Sequence, residues 1–175
     1  MTPIFGLLGY FTRGVTISGA VAGTIVAFAI WMGLGLGGFV TLFAVFAITW
    51  LTTRVGYSRK RELGLAENKR GRNAAQVMAN VGAAAVFAVL SLRFGPLFGM
   101  ASIACLAEAT ADTASSEIGE ALSKKAWLVT TFQEVRPGED GGVSLPGTLA
   151  GVLAAALIAF TGRAMNITHS FAIPL

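Results

Sequence analysis

The sequence predicts an all-α membrane protein, a polytopic helix bundle with about five transmembrane spans and a basic cytoplasmic loop. Hydrophobic residues make up 54% of the 175-residue chain and charged residues only 13%, about half the charged fraction of a soluble domain. The charges are also segregated, since residues 14–53, 73–92, 94–107 and 141–162 carry none. A membrane helix needs about 20 apolar residues. We therefore expect one integral membrane domain over residues 1–175.

The first uncharged segment is long enough for two spans. Residues 1–15 are too short and too interrupted by Gly and Pro to span, so we expect an interfacial lead-in. The first span then runs from about Thr16 to Met32, and a glycine-rich turn, Gly33–Gly38, leads into the second span, which ends near Thr53.

Three further spans follow a basic loop. The third begins near Asn73, and a short turn, Arg93–Pro96, leads into the fourth, which acidic residues enter after Ala107. The fifth begins near Pro146.

Basic residues predict the orientation. Seven of the 13 Lys and Arg residues lie within residues 54–72, and with five spans Arg13 and the 120–145 loop share their side. Only Arg93 and Arg163 lie on the other side. Because basic loops stay in the cytoplasm, we expect a multi-pass protein of the inner, cytoplasmic membrane with both loops facing the cytosol.

Acidic residues mark the end of the fourth span. Glu108 and Asp112 are four residues apart and lie on one side of a helix, whereas Glu117 lies about 140° around it from Asp112. Protonation, a nearby cation or a divalent metal would relieve the repulsion between the first two. Because acids at membrane depth are costly, we favour a functional site over the alternative, a solvated helix end.

Polar residues continue from the basic loop into the third span. Asn73, Gln76 and Asn80 recur at spacings of three and four residues and form a stripe. Such a stripe can serve interhelical hydrogen bonding, and the loop itself can serve topology and anionic lipid headgroups. Next to the acidic helix, we favour a shared polar pocket.

A glycine-rich loop precedes the fifth span. Gly141 and Gly142 permit close approach of a ligand to the backbone, and the helix that begins near Pro146 offers an N-terminus suited to anions. The Walker A pattern is absent. The start of this helix, Ser144–Gly151, also shares the pattern S/T-x-x-G-x-x-A-G with Thr16–Gly23, either as a weak internal repeat or by chance.

Four motifs together resemble the phytyl-phosphate kinase family, in order across roughly residues 16–160. They are Gly56-Tyr-Ser-Arg-Lys60, Gly71-Arg-Asn-Ala-Ala-Gln-Val-Met-Ala-Asn80, Ala111-Asp-Thr-Ala-Ser-Ser-Glu-Ile-Gly119 and Gly141-Gly-Val-Ser-Leu-Pro-Gly-Thr148. The resemblance implies transfer of a phosphoryl group from CTP to an isoprenyl monophosphate, giving the diphosphate.

The resemblance also implies site residues. Asp112, Glu117 and Lys60 would be catalytic, and Glu108, Asp112 and Glu117 would hold Mg²⁺. Substrate- and nucleotide-binding residues would be Arg70, Arg72, Asn73, Gln76, Asn80, Ser116, Gly141, Gly142, Ser144 and Thr148.

Two other functions stay open at this point. A cytidylyltransferase acting on a lipid phosphate would use the same metal and CTP but release pyrophosphate, and a prenyl-phosphate transporter or flippase would use the pocket without nucleotide turnover. The expected partners are a nucleoside triphosphate, an isoprenyl phosphate lipid and the membrane, and no nucleic acid. The chain is shorter than family members are expected to be, by one or two helices, so the bundle is either incomplete or completed by a second copy in a homodimer.

Overall fold

The architecture is a bundle of helices with a small sheet at one end, described by a computed structural model for residues 2–66, 71–165 and 167. Buried apolar side chains of four helices form the core, including Val26, Ile30, Ala84, Leu106 and Ile158. The elements in chain order are α1 (Thr2–Phe11), α2 (Ile17–Arg54), α3 (Tyr57–Glu62), α4 (Ala74–Phe94), α5 (Pro96–Leu122), β1 (Ala126–Leu128), β2 (Glu134–Val135), β3 (Gly142–Val143) and α6 (Leu145–Ala164).

The helix α2 folds back on itself at Gly35, where φ is 62° and ψ is −153°. Only glycine adopts this conformation without steric cost. A Cβ added at Gly38 would lie 3.2 Å from the carbonyl oxygen of Ile30, although eight residues of a straight helix span about 12 Å. The two halves of α2 are therefore antiparallel, and the chain turns inside the predicted segment, Gly33–Gly38.

The membrane character of the bundle follows from its helices. Among the described residues, α2, α4 and α6 are long and apolar enough to cross a membrane by length and composition. The helices α4 and α6 begin within two residues of the predicted span starts at Asn73 and Pro146. The acidic residues lie within α5, which continues to Leu122. The predicted number of about five spans stays a prediction.

The N-terminal segment is a helix that packs on both halves of α2. The ring of Phe5 in α1 makes edge contacts with Phe39, Phe43 and Phe46 of the second half, and a Cβ added at Gly6 would overlap the first half. This segment is therefore packed into the bundle, whereas the sequence predicted only an interfacial lead-in.

The loop between α5 and α6 contains strands that the sequence analysis did not predict. The three strands form an antiparallel sheet in the order β2-β1-β3, with Trp127 paired to Glu134 on one side and to Val143 on the other. Strands of two or three residues are too short to show an alternating pattern. The sheet places the glycine-rich loop beside the end of α5.

The S/T-x-x-G-x-x-A-G pattern has the same local structure at both of its occurrences. Thr16 caps α2 and accepts the Gly19 N–H at 3.2 Å, and Ser144 caps α6 and accepts the Gly147 N–H at 3.3 Å. At each glycine a backbone carbonyl of another segment occupies the space that a side chain would need. The pattern therefore produces a capped helix start at which the backbone of another segment packs closely against the glycine.

Substitution of Gly147 by Ala is expected to separate α5 from α6. The new Cβ would lie 2.5 Å from the carbonyl oxygen of Ser115, and such overpacking costs about 1–3 kcal/mol. Gly23→Ala is the matched control, because a Cβ there meets no atom within 4 Å. Thermal unfolding in detergent, followed by circular dichroism, should show a lower melting temperature for Gly147→Ala alone. Equal melting of the two variants would contradict the close packing.

Candidate functional site

A cleft of about 410 Å³ lies between the C-terminal half of α5, the sheet and the first turns of α6. We call it the acidic cleft, because the acidic residues Asp112, Glu120, Glu139 and Asp140 are among those that line it. None of the described residues that line it is Lys, Arg or His. The predicted site residues in its lining are Asp112, Ser116, Gly141, Gly142, Ser144 and Thr148. The acidic helix and the glycine-rich loop thus meet at one place.

Local structure fixes the walls of this cleft. The backbone at Gly141 is left-handed, with φ of 76°, which favours glycine over other residues. The side chain of Ser144 is buried and uses one oxygen lone pair to accept the Gly147 N–H. Ser116 and Thr148 are exposed on the cleft's two helices. The cleft therefore presents carboxylate and hydroxyl groups beside a loop in which glycine leaves space for a ligand.

The three predicted metal ligands do not converge. Among the residues that the structure describes, no three Asp, Glu, His or Cys side chains are close enough together to hold a metal ion. Glu117 points away from Asp112 because it lies about 140° around the helix, and Glu108 does not line the cleft. The oxygen donors that do line it are nevertheless of the kind Mg²⁺ binds, since Mg²⁺ takes one or two carboxylates together with phosphate oxygens.

Glu117 instead forms an ion pair with Lys60 inside the bundle. Lys60 is 0% exposed and Glu117 is 8% exposed, and the Lys60 Nζ donates to Glu117 Oε2 and, at 2.8 Å, to the carbonyl oxygen of Thr53. The Thr53 hydroxyl donates to Glu117 Oε1 at 2.9 Å. This network joins α2, α3 and α5. It differs from the predicted arrangement, in which Lys60 neutralised phosphates and Glu117 held a metal.

The helix α3 sits against the C-terminal end of α5. The Arg59 guanidinium donates to the carbonyl oxygen of Ala121 at 3.1 Å and to that of Ser123. The described part of the basic loop therefore lies at the same end of the bundle as the acidic cleft. Arg70 falls outside the described residues, so its predicted contact with phosphate stays a prediction.

The polar stripe on α4 divides into two parts. Asn73 and Gln76 cap the helix reciprocally, since the Asn73 side chain accepts the Gln76 N–H at 3.0 Å and the Gln76 side chain accepts the Asn73 N–H at 2.9 Å. Such a capping box satisfies backbone donors at a helix start. Asn80, one turn further along, lines a cavity. Of the three predicted residues, Asn80 lines this cavity, and Asn73 and Gln76 line neither it nor the acidic cleft.

That second cavity, of about 420 Å³, lies between α1, the two halves of α2 and α4. We call it the arginine cavity, because Arg13, Arg54 and Arg72 line it. Sequence reasoning selected Arg72 and missed the other two. The signal was nevertheless present, because Arg13 and Arg54 are the charged residues that bound the uncharged segment 14–53. At the two ends of a folded-back segment, they line the same cavity.

Comparisons with known proteins agree with this membrane architecture. A family model described as integral membrane protein DUF92 matches residues 1–174. The chain is 35% identical over 156 residues to the chloroplastic protein VTE6 of Arabidopsis thaliana, covering 85% of this chain and 47% of that protein. It is 35% identical over 152 residues to an uncharacterised membrane protein of Methanocaldococcus jannaschii, covering 86% of this chain and 63% of the relative.

The chain thus spans about half to two thirds of the length of these relatives. An uncharacterised membrane protein of Synechocystis is 32% identical over 143 residues, which is 79% of this chain and 55% of that protein. No solved structure matches the chain.

Proposed function

This chain belongs to the DUF92 family of integral membrane proteins, and on that premise we propose that it phosphorylates an isoprenyl monophosphate, such as phytyl phosphate, with CTP as the donor. The proposal rests first on the acidic cleft, where Asp112 and Ser116 of the third motif meet the glycine-rich loop of the fourth. The resemblance of the four motifs to the phytyl-phosphate kinase family supplies the reaction and the donor.

The proposed reaction needs little covalent help from the protein. An oxygen of the acceptor phosphate forms a bond to the γ-phosphorus of CTP, and the bond from that phosphorus to the CDP oxygen breaks. Catalysis of such transfers depends on positioning and on neutralisation of charge. The cleft's task would be to hold the triphosphate in line with the acceptor.

Carboxylates from both walls of the cleft suit Mg²⁺ at this place. Asp112 on α5, with at most one loop carboxylate, Glu139 or Asp140, would hold the ion together with phosphate oxygens of the nucleotide. When bound, Mg²⁺ would neutralise phosphate charge that the acidic cleft itself repels. The nucleotide would therefore enter as its Mg²⁺ complex.

Hydroxyl and backbone groups would position the phosphates. The Ser144 oxygen already accepts the Gly147 N–H, so its own proton is available to a phosphate oxygen. Ser116 and Thr148 offer further O–H donors from α5 and α6. The buried Lys60 and Glu117 would act indirectly, by fixing α3 and α5 relative to each other.

The reaction is tested directly with purified protein in lipid nanodiscs. The protein is incubated with Mg²⁺, phytyl phosphate and each nucleoside triphosphate in turn, and the products are identified by mass spectrometry. We expect CDP and phytyl diphosphate from CTP. Pyrophosphate with a CDP-lipid would overturn the kinase proposal in favour of a cytidylyltransferase, and no nucleotide turnover would favour a transporter.

Access of cytosolic CTP requires the cleft to face the cytoplasm. In a Cys105→Ser background, cysteines at the exposed positions Ser58 and Thr130 should react with an impermeant maleimide in inside-out vesicles and stay unlabelled in right-side-out vesicles. A cysteine at Leu36, exposed at the opposite turn, should show the reverse pattern. Labelling of either loop from outside would contradict the proposed orientation.

A further inference from the structure

The arginine cavity combines an apolar interior with a positively charged rim. Its interior is lined by Phe5, Val26, Leu42 and Val45, and Gly23 leaves space beside them, since a Cβ there would meet no atom within 4 Å. Thr49, also in the lining, directs its hydroxyl to the carbonyl oxygen of Val45 in its own helix. The interior thus presents surface suited to a hydrocarbon chain.

The rim lies where three segments of the chain meet at one end of the bundle. Arg72 is hydrogen-bonded through its backbone to Gly14 and Thr16, at 3.0 Å each. The Arg54 guanidinium donates to the carbonyl oxygen of Thr12 at 2.8 Å and lies 3.6 Å from the centre of the Trp50 ring. Three arginines from separate parts of the sequence therefore line one cavity.

Two of the rim arginines, Arg13 and Arg54, are exposed. Within the described ranges, neither Arg13 nor Arg54 forms an ion pair with a carboxylate. Guanidinium groups bind phosphate through paired, charge-assisted hydrogen bonds. An anion with several oxygens, placed at the mouth of an apolar cavity, would complement both features.

We propose that the arginine cavity is the binding site for the isoprenyl phosphate itself, with the phosphate at Arg13 and Arg54 and the tail against the apolar interior. This inference rests on the proposed function for the identity of the lipid. A volume of about 420 Å³ is at the lower end for ligand pockets and suits one chain better than the two chains of a phospholipid.

The site also lies beside the helix that carries the acidic cleft. Thr53 and Ala109 line the arginine cavity, and the Thr53 hydroxyl bonds to Glu117 on α5. Ser116, the neighbour of Glu117, lines the acidic cleft. The donor would occupy the acidic cleft, and the arginine cavity would hold the lipid at the same end of the bundle before its phosphate moves past the end of α5 for the transfer.

Binding measured without nucleotide tests this site separately from catalysis. Titration of nanodisc-embedded protein with phytyl phosphate should show saturable binding, and phytol and inorganic phosphate should each bind at least tenfold more weakly. Arg54→Gln should weaken phytyl phosphate about tenfold or more, as expected for loss of a charge-assisted contact. Arg93→Gln, at the other end of α4, is the matched control and should bind as the wild type does.

A second variant tests the apolar part. Gly23→Leu places a side chain in open space of the cavity and should abolish binding. Ala83→Leu, which adds three carbon atoms instead of four at an exposed position of α4, should not. In wild-type protein, a phytyl phosphate carrying a diazirine on its tail should crosslink to α1, α2 or α4. The crosslink needs no variant, so a folding defect cannot hide the result.

Three results would overturn the site: unchanged binding in Gly23→Leu, equal affinity for phytol and phytyl phosphate, or crosslinks confined to α6 and the sheet. Saturable binding without turnover would leave the site standing and overturn the proposed kinase activity. Turnover that survives in folded Gly23→Leu would overturn the lipid site and leave the proposed kinase activity standing.

Discussion

Asp112→Asn is expected to lower turnover by about 10²–10³-fold while the protein still folds and inserts. Loss of one charge that acts on the transition state typically costs this much. Asp112 is exposed and lines the acidic cleft, and its side chain forms no hydrogen bond or ion pair with the described part of the chain. The carboxylate is therefore available to a cation and is not needed to hold the helices together.

Melting temperatures with and without Mg²⁺ complete this test. Mg²⁺ should stabilise the wild type more than Asp112→Asn, because an ion that binds only the folded state raises its stability by mass action. Glu134→Gln is the control, since it removes a carboxylate from the adjacent sheet that does not line the cleft. An active Asp112→Asn protein with reduced stability would show that Asp112 has a structural role and would rule out the metal site.

Lys60→Met should destabilise the protein by about 3–5 kcal/mol, the cost of leaving a buried charge without its partner. The side chain of Glu117 would keep only the Thr53 hydroxyl as a hydrogen-bond donor. An exposed loop lysine could be removed without such a cost. The expectation thus follows from the burial of Lys60, which the structure shows and the sequence pattern does not.

A double variant separates the structural from the catalytic role of this pair. Lys60→Met combined with Glu117→Leu replaces both charges by apolar groups, which often restores stability. We expect recovery of both melting temperature and turnover, because neither residue lines the acidic cleft. Lys125→Met is the matched control, since its ion pair with Glu134 is exposed and should contribute under about 1 kcal/mol. Recovered stability without turnover would instead give the pair a direct role in catalysis.

The helices of this fold were predictable because uncharged segments of about 20 residues mark membrane-spanning helices. Three of the four uncharged segments correspond to α2, α4 and α6, and the fourth to the first half of α5. The turn in α2 falls among the glycines near Gly35. The capping box of Asn73 and Gln76 also had a local signal, an amide three residues after a capping residue. The same spacing also places polar side chains on one face of a helix, and for that reason the sequence favoured a shared polar pocket.

The parts that escaped prediction depend on contacts between distant segments. Lys60 and Glu117 are 57 residues apart, and nothing in the spacing of either motif indicates that they pair. Arg13 and Arg54 line one cavity only because α2 folds back on itself. The acidic cleft was predictable in outline, since two motifs supplied its walls, but Glu139 and Asp140 in its lining were not selected.

The fold-back of α2 at Gly35 also bears on how the protein enters the bilayer. Each half has about 18 residues and is about 27 Å long, slightly less than the hydrocarbon thickness of about 30 Å. No charged side chain lies between Arg13 and Arg54. Insertion of this pair of helices from one side of the membrane therefore requires no ionic group to be carried across, and the hairpin can partition into the lipid as a single unit, before the rest of the bundle assembles around it.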